Sequence, residues 1–221
     1  VPPLRGLFWQ ERRQAWKTIA VFWGVAIALL MFYRVFDPLR DDVSFSFASV
    51  VFVILSTLMG SCAFLAEQEG QHFRFFADRG VGARRVWLAK QLVWLPTALA
   101  TAAVFCCLSF MSLRRPPVNF VASGEPLGIA ILILIGYTCG QLSSMLLPRG
   151  LVAGLMGLVL VFVVFVWQVL MQHLGVGLWW SVLPIAFVLL AATWLRAPDW
   201  LLERYGWRAW LRLIALLLVP T

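Results

Sequence analysis

The chain has 221 residues, of which 62% are apolar and only 13% charged, with a mean hydropathy of +0.88. An ordinary globular domain holds roughly 45–50% apolar and about 25% charged residues, so a water-soluble fold is excluded. The net charge of +8 is not carried by a basic soluble module, which excludes nucleic acid as a partner and leaves membrane orientation and anionic lipid as its meaning.

Residues 1–17 open the chain. Within LRGLFWQERRQAW, residues Leu4, Leu7, Phe8 and Ala15 share one helical face at about 100° per residue, with Arg5, Arg12 and Arg13 displaced from it. The pattern predicts a short amphipathic helix lying on the inner leaflet, closed by Trp16 at the membrane boundary. Glu11 falls in the middle of the apolar stripe. Either it is buried and paired with a basic residue from another cytoplasmic segment, or the helix is frayed and Glu11 is solvated.

Six apolar blocks follow, each near the roughly 20 residues that cross a hydrocarbon core of about 30 Å. They run Thr18 to Phe36, Phe45 to Ala66, Gln91 to Leu113, Leu127 to Leu147, Leu151 to Gln172 and Leu174 to Leu195, and within them only Arg34, near the end of the first, is charged. A signal peptide is excluded, because its apolar core is short and does not recur. Trp16, Trp87, Trp94, Trp179, Trp180 and Trp194 fall near the block ends, as interfacial rings do. Gly136 with Gly140, Gly150 with Gly154, and Ser56 with Gly60 are small pairs at four-residue spacing that let helices approach closely, within the bundle in the favoured reading and across a dimer interface in the second. Pro96 and Pro184 each remove an amide from a span and kink it. Cys62, Cys106, Cys107 and Cys139 lie in spans without a CxxC pair and read as small buried hydrophobes.

Orientation follows from the basic residues. With the N-terminus cytoplasmic, 14 of the 18 lysines and arginines lie inside, against Arg34, Arg40, Arg114 and Arg115 outside. No acid, lysine, arginine or histidine stands in the middle of a span, which counts against ion-coupled transport. His72 and His173 lie in or beside loops on opposite sides, away from Ser61, Ser143 and Ser144, which counts against catalysis; no catalytic and no metal-ligating set is assigned. A phosphate-binding G-x-x-x-x-G-K-[ST] loop is absent from the sequence.

The loop between the second and third blocks, Glu67 to Lys90, is the longest on the inside. Its acids, Glu67 and Glu69, come first and are expected to open a helix; Phe73, Phe75 and Phe76 follow, then Gly80-Val81-Gly82, then Arg84, Arg85 and Lys90 after the break. Three aromatics in such a loop form an apolar knob that fits either the membrane surface or a pocket on a protein partner.

This stretch resembles the segment joining the second and third spans of ABC-2 type transporter permeases. Glu67 and Glu69 match the family's paired acids, Phe73, Phe75 and Phe76 its apolar residues, Arg84 and Arg85 its basic pair, and Lys90 the lysine that leads into the next span. FWQERRQAW is similar to the family's interfacial helix, with Glu11 at its acidic position. Gln71 and His72 stand where Gly-Thr is expected, and Gly80 and Gly82 replace a Pro and a Ser. The resemblance implies a permease subunit, usually an exporter of the bacterial cytoplasmic membrane, that pairs as a homo- or heterodimer. It implies a separate P-loop ATPase, holding the ATP and Mg, that pushes on a coupling helix in residues 67–90. No cofactor is expected in this chain. The second reading is a non-transporting membrane scaffold or assembly protein whose loop recruits a cytoplasmic partner.

Residues 197–221 read as a juxtamembrane linker and the start of a seventh span, so the chain is expected to be a fragment. The expected architecture is all-α and integral to the membrane: an interfacial helix (1–17), a six-helix domain (18–196) with its coupling loop (67–90), and a truncated seventh span.

Overall fold

The structure is a computed structural model that describes residues 4–36, 41–69, 78, 80–112, 125–147 and 149–202. Among these residues every regular element is an α-helix. In chain order they are α1 (Leu4–Phe36), α2 (Asp41–Glu69), α3 (Ala83–Ser112), α4 (Glu125–Leu146), α5 (Gly150–His173) and α6 (Leu178–Leu201). Five of them contain stretches long and apolar enough to cross a membrane: Phe47–Leu65, Ala83–Cys107, Leu127–Leu146, Gly150–His173 and Trp180–Leu201. The protein is an all-helical integral membrane protein. Residues 203–221, with the expected seventh span, lie outside the described residues.

Four sequence expectations are corrected. The interfacial helix is not a separate element: Leu4–Phe36 is one helix of 33 residues, about 50 Å long at the α-helical rise. No proline interrupts it, and with Glu11 satisfied internally nothing forces the chain to turn at the membrane surface. Glu67 and Glu69 close α2 rather than opening a helix, while Arg84 and Arg85 open α3. That arrangement opposes both helix dipoles, whose terms of about 0.3–1 kcal/mol at exposed ends are too small to override the continuation of two long apolar helices. The sixth helix starts at Leu178 rather than Leu174, because Gly175 takes a positive φ of 76° and the chain turns there. Of the four cysteines only Cys139 is buried; Cys107 is exposed and Cys62 and Cys106 are half-buried.

Helix α4 is the hub. It packs on α2, α3, α5 and α6. Ile131, Ile135, Cys139 and Leu142 fill the contact with α5 and α6, where Val161, Val182 and Leu189 meet them. Ala130 and Ile133 join Phe52 of α2 and Phe105 of α3, whose rings meet edge to face at 5.6 Å. The third cluster lies at the end of the bundle where α1 begins, here the basal end. It joins Leu7 and Ala15 of α1, Met59, Ala63 and Phe64 of α2, Val86, Ala89 and Trp94 of α3, Tyr137 and Met145 of α4, and Trp200 of α6.

The α2–α4 crossing is the closest. A Cβ on Gly60 would strike the Tyr137 carbonyl oxygen, and one on Gly140 would strike the Thr57 carbonyl oxygen and come within 2.8 Å of the Ser61 amide nitrogen. Ser56 Oγ donates to the Ile133 carbonyl across the same seam at 2.7 Å. Small residues thus allow backbone-to-backbone contact, the main source of helix association where lipid offers no hydrophobic drive.

Candidate functional site

The basal end holds a buried charge pair. Glu11 lies on the inward face of α1, in register with Leu7 and Ala15, all three buried. Lys90 lies two turns into α3, only 2% exposed. Its Nζ donates to both Glu11 carboxylate oxygens at 3.2 Å and to the Ala63 carbonyl of α2 at 2.6 Å. Trp94, one turn further along α3, donates Nε1 to Glu11 Oε1 at 2.7 Å. The Phe64 ring lies 5.1 Å from the Lys90 ammonium, and Trp200 of α6 meets Phe64 edge to face at 5.1 Å. Charge, hydrogen bonds and ring contacts therefore tie α1, α2, α3 and α6 at one point. Removing one member of such a buried pair costs about 3–5 kcal/mol, since the other charge is stranded in a low-dielectric site.

The basic partner required by a buried Glu11 is thus Lys90, and the solvated alternative does not hold. Trp94 is not an interfacial ring but a buried donor, 3% exposed.

A second network begins at the next residue. Gln91 Nε2 donates to Gln141 Oε1 at 2.9 Å, Gln141 Nε2 donates to the Tyr137 hydroxyl at 2.6 Å, and that hydroxyl donates to Gln91 Oε1 at 3.1 Å. Each group gives one bond and accepts one, closing a ring between α3 and α4. In a low-dielectric interior such a ring fixes register, because breaking any member orphans the others. Consecutive residues on α3 point about 100° apart. Lys90 thereby reaches α1 and α2 while Gln91 reaches α4.

The rim above these networks joins α3 to α6. Trp87 Nε1 donates to Thr193 Oγ1 at 3.1 Å, and the Arg84 guanidinium lies 5.1 Å from the Trp194 ring. Arg196, buried in α6, pairs with Asp199 at 3.7 Å.

The remaining sequence candidates are distributed as follows. Arg12, Arg13 and Trp16 project from the exposed side of α1, opposite Glu11. Arg85 is exposed at the start of α3. Glu67 and Glu69 belong to the last turn of α2. Phe73, Phe75 and Phe76 lie outside the described residues. Gly136 and Gly140 face α2, and Gly154 faces Leu58. Gly157 approaches Gly140 and Thr57 more closely than Gly154 does, with a Cβ falling 2.9 Å from Thr57 Cγ2. Gly150 is the first residue of α5.

Gln91, Tyr137 and Gln141 were not singled out from the sequence, where ionisable groups, nucleophiles and small-residue pairs were sought within the spans, and Arg196 counted only toward the orientation. The signal for two of them was present: Tyr137 and Gln141 stand at i and i+4 on one face of a membrane-crossing block. Chemically the site joins helices through one buried charge pair and one hydrogen-bonded ring. The hydroxyls of Ser61, Ser143 and Ser144 are donated to carbonyls of their own helices. Among the described residues no three His, Cys, Asp or Glu side chains converge.

No protein-family model, curated protein or solved structure matches the chain.

Proposed function

We propose that this protein is the membrane-spanning permease subunit of an ATP-driven transporter, with its basal end cytoplasmic and a separate P-loop ATPase acting on the segment between α2 and α3. The observation that supports this reading is the anchoring of both ends of that segment. On the α2 side, Ala63 and Phe64 lie one to two turns before Glu67 and Glu69; on the α3 side, Lys90 lies two turns after the segment ends. The Lys90 ammonium grips Ala63 and Glu11 together, so a push on residues 70–82 is transmitted to α1, α2 and α3 as one body. Gln91 passes the same displacement to α4, and Phe64 passes it to α6 through Trp200. A rigid lever of this kind couples a cytoplasmic engine to membrane helices without an ion site at mid-span.

The resemblance of residues 67–90 to ABC-2 type permeases supplies the partner and the dimeric assembly, and the excess of basic residues at the basal end supplies the orientation. Export across a bacterial cytoplasmic membrane is the direction this reading carries.

The test is co-purification and reconstitution of the full chain. A P-loop ATPase is expected to co-purify, and its hydrolysis to rise in proteoliposomes containing the permease. Charge reversal of Glu67 and Glu69, or alanine at Phe75 and Phe76, is expected to abolish that stimulation while leaving the helical fold intact. A partner that binds through this segment without any change in ATP hydrolysis would replace the transporter with a recruiting scaffold.

A further inference from the structure

On the outer side of α1 a groove of about 470 Å³ runs between α1 and α3. This lies within the roughly 300–1,000 Å³ of ligand pockets. Its walls are apolar and aromatic, with Trp16, Ile19 and Trp23 from α1 and Leu92 and Val93 from α3, and its one charged lining residue is Arg12 at the basal mouth. Arg12 also borders a second hollow, shared with Trp9, Arg13 and Trp16. The Arg13 guanidinium stands 5.9 Å from the Trp9 ring. Trp9 and Trp16 are 63% and 59% exposed.

Three features identify the occupant. The first is charge. Glu11, the sole acid among residues 1–36, is turned inward and held by Lys90 and Trp94, which leaves Arg5, Arg12, Arg13 and Lys17 exposed on the other side of the helix without a carboxylate of their own segment to offset them. The second is length. The α1 wall of the groove runs from Phe8 to Trp23, and within it the eleven helical rises from Arg12 to Trp23 are about 16 Å, matching the roughly 15 Å depth of one leaflet's hydrocarbon. The third is position. The α3 wall belongs to the membrane-crossing stretch Ala83–Cys107, so the apolar part of the groove lies at acyl-chain depth and the arginines lie at headgroup level.

We propose that the α1–α3 groove binds one anionic phospholipid, its phosphate held by Arg12 and Arg13 and an acyl chain laid along Ile19, Trp23, Leu92 and Val93. The site requires only that the helices cross a bilayer; it is independent of the ATPase and of any transported substrate. Because one wall is α1, which carries Glu11 on its opposite face, the lipid braces the same helix that the charge pair holds.

The experiment is native mass spectrometry of the full chain released from nanodiscs containing equal phosphatidylglycerol and phosphatidylcholine. Wild type is expected to retain one phosphatidylglycerol in preference to phosphatidylcholine. R12Q/R13Q is expected to lower that preference by about five-fold for each arginine removed. A20W, which fills the groove with all charges kept, is expected to lose the retained lipid; L92W fills it from the α3 side and serves if A20W does not fold. R85Q/R149Q removes two exposed charges elsewhere and is expected to leave retention unchanged. Equal loss in R85Q/R149Q and R12Q/R13Q, or full retention in a folded A20W or L92W, would reduce the effect to diffuse attraction and overturn the site.

Discussion

Helices α4 and α5 are joined by a short connection, residues 147–149, yet they solve opposite problems. In a membrane-length window of α4, which carries Tyr137, Thr138, Gln141, Ser143 and Ser144, 78% of the residues are buried; in that of α5 the share is 22%, and Leu151, Leu155, Val159, Phe162 and Val163 are exposed. In water the more apolar helix would be the core. In lipid, apolar surface gains nothing by being covered, and the helix that needs neighbours is the one with polar groups to satisfy and glycines that admit close contact. The interior of this bundle is therefore organised by polarity and smallness, and its exterior by bulk apolar side chains.

The strongest way to break that contrast is at Lys90. K90M strands the Glu11 carboxylate and the Trp94 donor in the basal core, and is expected to destabilise by about 3–5 kcal/mol in detergent unfolding. E11Q/K90M, which removes both charges, is expected to recover at least half of that loss. If K90M unfolds like wild type, the basal interior is hydrated and the comparison fails.

A smaller loss is expected where α4 meets α2. G140A places a methyl against the Thr57 carbonyl and the Ser61 amide, both backbone groups that cannot swing aside. Overpacking of this kind costs about 1–3 kcal/mol. G24A is the control, since no atom beyond its chain neighbours and its own helix backbone lies within 4 Å of a Cβ at that position. Thermal unfolding of the two variants separates crowding from any general effect of removing glycine. Next in size is Q141L, which opens the hydrogen-bonded ring and leaves Gln91 and Tyr137 each short of a partner; about 1–2 kcal/mol is the expected cost, given that hydrogen bonds between membrane helices contribute modestly.

How much of this was legible beforehand differs by feature. Apolar blocks of membrane-crossing length located the helices of α2 to α6, because bilayer thickness imposes a length that turns and loops rarely imitate. Helix ends were less legible. Nothing apolar marks the polar turns by which α2 reaches Glu69 and α3 starts at Ala83, so the connecting segment looked wider than it is. The Gly175 to Gly177 turn was visible as a glycine pair but outweighed by its apolar surroundings. Glu11 was legible as an acid interrupting an apolar stripe, which left burial with a partner and solvation both open; how α1 leans on α3 decided for burial and set the partner. The i, i+4 spacing of Tyr137 and Gln141 on one face was visible, but that they are buried and close a ring with Gln91 depends on the packing of α3 on α4.

The smallest expected effect falls on α5, and it decides what surrounds that helix. Phe162 is 65% exposed on a face with Leu155, Val159 and Val163. F162A exchanges one lipid contact for another, so its unfolding midpoint is expected to stay within about 0.5 kcal/mol of wild type, as for surface positions generally. The same truncation in α4, at Ile133, opens a cavity in a filled core and is expected to cost about 2–5 kcal/mol. A cost at Phe162 approaching that at Ile133, together with a change in oligomeric state on size-exclusion chromatography, would mean that protein rather than lipid covers α5. The contrast between the two helices would then describe one subunit of an assembly whose second core lies along α5.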